Sequence, residues 1–204
     1  MGACMPTPQL ETVQAVLRAN NRDLKLRTAI LRAWEDVQGK YPDRAWWRRK
    51  TTLRSVMWEH CVDRVMEVVN GDSGLVAVQH YDTASFIADD SVLFRLKKAN
   101  AGLFSSNYPT PLAQMFHRHD SGDLFGHHGH QRVEIVHTFN RFQTAVDWVG
   151  VVAREGKKVI WDFELRGGEA GEVIPFPVQP TQPAGKSVIK PIVPDAGEES
   201  EASE

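Results

Sequence analysis

Cysteine is nearly absent from this chain: Cys4 and Cys61 are the only two in 204 residues. One lies near the N-terminus and the other in an apolar helical stretch, so they form no disulfide framework. A free cysteine at a core position fits a reducing cytosol. No run of about 18 apolar residues exists, which excludes a membrane-spanning helix. The first residues lack the apolar region of a signal peptide. Met1-Gly2 opens as a myristoylation motif would, yet Pro6 stands where that motif needs Ser or Thr. A phosphate-binding glycine loop, a GxSxG elbow, an HExxH pair and internal repeats are all missing. These absences describe a soluble, cytoplasmic protein without a familiar catalytic signature.

What is present suffices for one core. Hydrophobic residues make up 42% of the chain, and residues 8–166 are read as a single domain, with a helical part at 8–70 and a sheet part at 74–166. Residues 1–7 and the Pro-rich, then Glu-rich segment 167–204, ending EESEASE, are expected to be disordered. Charge is unevenly spread. Residues 22–54 hold ten basic and four acidic residues, a balance of +6, whereas 167–204 hold two lysines against seven acids, a balance of −5. A basic front and an acidic tail suit an anionic partner, with the tail autoinhibitory or merely solubilising.

Apolar spacing predicts three helices. The first spans about Pro8 to Ala19 with Leu10, Val13, Val16 and Leu17 on one face, and Asn20-Asn21 breaks it. The second spans about Asp23 to Gln38 with Leu26, Ile30, Ala33, Trp34 and Val37 in one stripe, and Gly39 stops it. The third falls within Arg44–Asn70, with Asp43 as N-cap or with a later start near Thr51. Its two stripes (Leu53, Val56, Met57, His60 and Cys61; Trp58, Val62, Val65 and Val69) make it the spine of the domain. From Gly74 the period becomes two. Strands are predicted at Leu75–Tyr81, Thr83–Ala88 and Val92–Lys98, and again at Arg132–Phe139, Ala145–Ala153 and Lys158–Leu165, with a short helix from Pro111 to about Arg118 between the two sets. In the third strand Val92, Phe94 and Leu96 oppose Leu93, Arg95 and Lys97. The expected fold is therefore α+β, a three-helix layer packed on an antiparallel sheet of five to six strands, followed by a disordered acidic C-terminal tail.

Three stretches carry chemistry. The first is the histidine loop: five of the eight histidines lie between His117 and His130. His117, His119, Asp120, His128 and His130 are the ligand types that Zn²⁺ takes, and the glycines among them would let a loop wrap an ion. The bland alternative is a polar connection between a helix and a strand. The second stretch surrounds the third strand, where Asp82, Asp89 and Asp90 precede Arg95, Lys97, Lys98 and Asn100. Nucleases hold Mg²⁺ with paired carboxylates and a strand lysine, but Arg95 occupies the place two before Lys97 that a carboxylate would need. Arg95, Lys97 and Lys98 serve instead as a basic recognition strip or as the lysine-rich edge of a sheet. The third stretch is Trp46, Trp47, Arg48, Arg49, Lys50 and Arg54, whose residue types are enriched at interface hot spots and also contact phosphates. Cys61 is expected to be packing rather than a nucleophile.

The leading functional expectation is a non-enzymatic protein-interaction module, antitoxin-like or an accessory regulator of a bacterial or mobile-element system, with a protein partner and no cofactor. The competing class is a metal-dependent nuclease or hydrolase using the His117–His130 loop, with zinc as its metal and Asp82 or Asp89 in support. A third is a nucleic-acid-binding regulator using the basic patch at residues 44–54.

Overall fold

Two asparagines make the first corner. In the computed structural model Asn20 and Asn21 both adopt positive φ, at 54° and 55°, a region that short polar side chains tolerate better than most. They separate helix α1, Leu10–Arg18, from α2, Arg22–Lys40. The structure describes residues 7–80, 83–105, 110–117, 119 and 129–167, all within one compact unit. Leu26, Ile30, Ala33, Trp34 and Val37 are all buried, as their helical spacing requires. Gly39 does not stop α2, because one flexible residue costs only about 1 kcal/mol in a helix. Pro42 ends it, since the residue before a proline is pushed out of the α region, and Tyr41 sits at φ −127°, ψ 68°.

The 44–70 stretch divides. Pro42–Trp46 is a 3₁₀ turn, Trp47 and Arg49 are extended, and α3 runs Lys50–Asn70. Asp43 therefore caps nothing in α3. The positive end of the helix dipole disfavours cations in a first turn, and Arg48 and Arg49 lie in the extended connector before it. Met57, His60, Cys61, Val62 and Val65 are buried, so the C-terminal part of the stretch is the spine.

Six strands follow: β1 Leu75–His80, β2 Thr83–Ala88, β3 Val92–Lys98, β4 Gln131–Phe139, β5 Val146–Glu155 and β6 Lys158–Glu164, with α4, Pro111–His117, between β3 and β4. They form one sheet in sequence order. The fold is α+β, but the sheet is mixed rather than antiparallel, because β3 and β4 run parallel. Parallel neighbours need a crossover, and residues 99–130 supply it. The helices cover one face, here the inner face, where Leu26, Ile30, Met57 and Val65 share a core with Phe86, Phe94, Ile135 and Val151. Each such side chain contributes roughly 1.5–3 kcal/mol on burial. On the opposite, outer face, Phe116 of α4 packs on Ile87 and Leu93.

One buried ion cluster ties the corner to the sheet. Arg22, 1% exposed, donates two hydrogen bonds to Asp72 (2.8 and 3.1 Å) and two to Asp89 (2.6 and 2.8 Å). Asp89 and Asp90, both with φ 46°, form the β2–β3 turn closed by Ser91 N donating to Ala88 O. Arg166 pairs with Asp23, and Arg64 pairs with Asp36 and Glu67.

Candidate functional site

The connector before α3 and the loop between β4 and β5 meet at the surface. Asn140 builds that loop. Its backbone N–H donates to Ala145 O and its backbone O accepts from Gln143 N; its side-chain amide donates to Thr144 Oγ1 at 2.8 Å while its Oδ1 accepts from Thr144 N at 2.9 Å. From α2, Trp34 Nε1 and Gln38 Nε2 donate to Thr144 O at 3.2 and 3.1 Å. The clamped loop displays Phe142, 78% exposed, and the connector displays Trp46, 83% exposed.

Between the connector and the loop lies a cleft of about 390 Å³ lined by Arg44, Arg49 and Arg141 with Trp47, Leu53 and Phe142, and no carboxylate among the described residues lines it. Each group is locally supported. Arg44 donates to Tyr41 O at 3.3 Å and lies 5.3 Å over the Trp34 ring. Trp47 meets Tyr41 edge-on at 5.5 Å, and the Arg141 guanidinium lies 6.0 Å over Phe142. Trp47 and Arg49 are thus gathered at one site, whereas Trp46, their neighbour in the chain, is exposed and does not line it. Arg48 and Arg54 are exposed beside it, and the side chain of Lys50 lies outside the described residues. Sequence reasoning missed Phe142 and Arg141. The available signal was an aromatic–arginine pair in a loop bounded by Asn140 and Thr144.

The strip Arg95, Lys97 and Lys98 separates. β3 is the third of six strands rather than an edge. Its alternation sends Arg95 and Lys97 to the outer face, while Lys98 Nζ lies 5.2 Å over the Phe139 ring. On the outer face, Arg95 pairs in register with Glu134, which is buried. Ser105 Oγ is 3.0 and 2.8 Å from the two Glu134 oxygens, and Arg154 Nη1 donates to Ser105 Oγ at 2.7 Å and to Glu134 Oε2 at 3.2 Å. His117 Nε2 stands 3.5 Å from Glu134 Oε1. Burial, then Arg154 and Arg95, push the His117 imidazole down to about 3, so it is neutral. Burial likewise lowers Lys97 and brings Arg95 down to about 10.

The described histidines of this loop take separate partners. His117 faces Glu134, His119 Nε2 lies 2.8 Å from Arg154 O, and His130 Nε2 lies 3.0 Å from Asp90 of the β2–β3 turn. Among the described residues no three His, Cys, Asp or Glu side chains are grouped to hold a metal ion. Asp120 and His128 lie outside the described residues, as does Asp82. Of the carboxylates assigned to metal, Asp89 is held by Arg22, which keeps it below the usual range. Cys61 is buried, and desolvation pushes its thiol up, the opposite of an activated nucleophile. No helix among the described residues is long and apolar enough to cross a membrane.

Comparison with protein-family models, curated proteins and solved structures finds no match to this chain.

Proposed function

We propose that the protein is a non-enzymatic interaction module whose cleft between the 42–53 segment and the 141–144 loop takes an acidic protein segment carrying an apolar anchor. One observation carries this reading: three arginines, Trp47 and the exposed Phe142 line a cleft that has no carboxylate among the described residues, and the exposed Trp46 adjoins Trp47 in the chain. Exposed tryptophan and phenylalanine keep apolar area in water, and arginine adds forked donors for carboxylates, the pairing that dominates interface energetics. An accessory regulator of the antitoxin kind acts in this way, by occupying a partner rather than by turning over a substrate. Duplex DNA is the competing ligand, because Arg48, Arg49 and Arg54 would serve phosphates as well. The two aromatic residues favour protein, since flat apolar groups add little to backbone phosphate contacts.

The test compares two variants of the full chain against a purified partner and against duplex DNA. Trp46→Ala with Phe142→Ala removes only exposed side chains and leaves the fold intact. This pair is expected to weaken partner binding about 30-fold or more, at roughly 2 kcal/mol for a hot-spot residue. Salt-dependent DNA retention lost in Arg48→Ala with Arg49→Ala, but unchanged in the aromatic pair, would replace the reading with nucleic-acid binding. Undiminished partner binding by both variants would remove the cleft from the account.

A further inference from the structure

The outer face of the sheet holds charge that the cleft does not use. Arg95 and Lys97 of β3, Glu134 of β4 and Arg154 of β5 lie on adjacent strands and share one side, Arg95 opposite Glu134 and Arg154 two residues beyond the Val152 that opposes Glu134. Glu134 already accepts from Ser105 and Arg154. Arg95 and Lys97 retain donors that it does not take. Arg95 spends Nε on Ser85 Oγ at 3.1 Å and rests 4.3 Å over the Phe116 ring, while its two terminal nitrogens make no hydrogen bond among the described residues. Lys97 makes neither a hydrogen bond nor an ion pair among them. Arg154 is 5% exposed and already committed: Nη1 donates to Ser105 and Glu134, Nη2 donates to Gly156 O at 3.3 Å, and its buried Nε has no acceptor among the described residues.

Among the described residues the cations Arg95, Lys97, Arg132 and Arg154 lie on the same face as the buried Glu134, more positive charge than this one buried carboxylate balances in a partly desolvated place, which favours an added anion. Lys97 and Arg95 are only half-buried, so a solution anion can reach them, while Glu134, Arg154 and His117 are buried beside them. The same charges disfavour a divalent cation beside His117. The terminal nitrogens of Arg95 and the Lys97 point charge beside them suit a doubly charged tetrahedral anion better than a single carboxylate. We propose that this outer face binds a phosphate group, seated against Lys97 and Arg95, either as the free ion or on a small molecule.

The site is independent of the cleft, and its test uses the full chain at constant ionic strength. Inorganic phosphate and a nucleoside monophosphate are each titrated calorimetrically against a chloride control, and thermal midpoints are read in the same buffers. Lys97→Met is the chosen variant, because it breaks no hydrogen bond or ion pair among the described residues. The parent is expected to bind one phosphate group and to unfold at a higher temperature in phosphate than in chloride. The variant is expected to match or exceed the parent's midpoint in chloride and to bind phosphate at least about tenfold more weakly, roughly 1.4 kcal/mol. Tighter binding of the nucleoside monophosphate would mark a small-molecule site, and equal binding a free-ion site. No binding by the parent, or equal binding by Lys97→Met, would overturn the proposal.

Discussion

His137 makes the stability of this protein depend on pH in a direction that can be calculated. It lies on the inner face of β4, 4% exposed, with its ring 5.2 Å from Phe139 and no hydrogen-bond partner for its Nε2. Burial, with a smaller contribution from Lys98, lowers its pKa from 6.5 to about 4. A histidine lowered in the folded state is favoured there as the neutral form. The stability it secures is therefore complete above pH 6.5 and is lost as pH falls toward 4. At 1.36 kcal/mol per pH unit the full span corresponds to about 3 kcal/mol, and roughly 2 kcal/mol is gone by pH 5. His137→Leu removes both the titration and a buried polar atom without a partner. Urea unfolding of parent and variant at pH 7 and pH 5 isolates the term, because every other group titrates in both. The variant is expected to lie within about 1 kcal/mol of the parent at pH 7 and to lose roughly 2 kcal/mol less on acidification, about 1 M in urea midpoint for an ordinary slope. Parallel losses in the two proteins would show that His137 is not held neutral by burial.

Other outcomes follow from the same packing. Arg22→Met leaves the Asp72 carboxylate, whose side chain is 3% exposed, without its cation, and should cost about 3–5 kcal/mol in urea unfolding. Asp89→Ala should cost less, because the Asp89 side chain is 43% exposed and water can replace it. Gly74→Ala drives a methyl group into the Arg22 guanidinium and the Asp89 carboxylate, so a loss of about 1–3 kcal/mol is expected, and it should not add to that of Arg22→Met. Ser105→Ala removes the hydroxyl shared by Glu134 and Arg154, for a loss of about 1–3 kcal/mol by chemical denaturation. Cys61 should resist a thiol reagent at pH 8 until urea unfolds the chain, and labelling at the rate of a free thiol would contradict its burial.

The helical layer was legible in the sequence because one stripe per helix decides burial, and in α2 every expected stripe residue is buried. The strand alternation of β3 was legible for the same reason, and it already implied that Lys98 parts from Arg95 and Lys97. Strand direction was not legible. Residues 99–130 carry no long periodic signal, so nothing in them announces a crossover that makes β4 parallel to β3. The start of α3 was ambiguous because Trp46, Trp47 and Val56 continue an apolar pattern through a segment whose arginines oppose a helix N-terminus. The buried charges of the outer face were missed beyond Arg95 and Lys97. Arg132 through Thr138 are buried on both faces, and a strand buried on both faces loses the inside–outside alternation that would have marked Glu134 as unusual. Phe142 escaped notice because exposed aromatic residues in loops carry no pattern of their own.

The central claim concerns the surface shared by the 42–53 segment and the 141–144 loop. Photo-crosslinking side chains placed singly at positions 46 and 142 of the full chain, with position 157 as an exposed control, test it most directly in the cell of origin. The account predicts that positions 46 and 142 attach to the same protein through an acidic segment, and that position 157 does not. Attachment of positions 46 and 142 to nucleic acid, to unrelated proteins, or to nothing would contradict it.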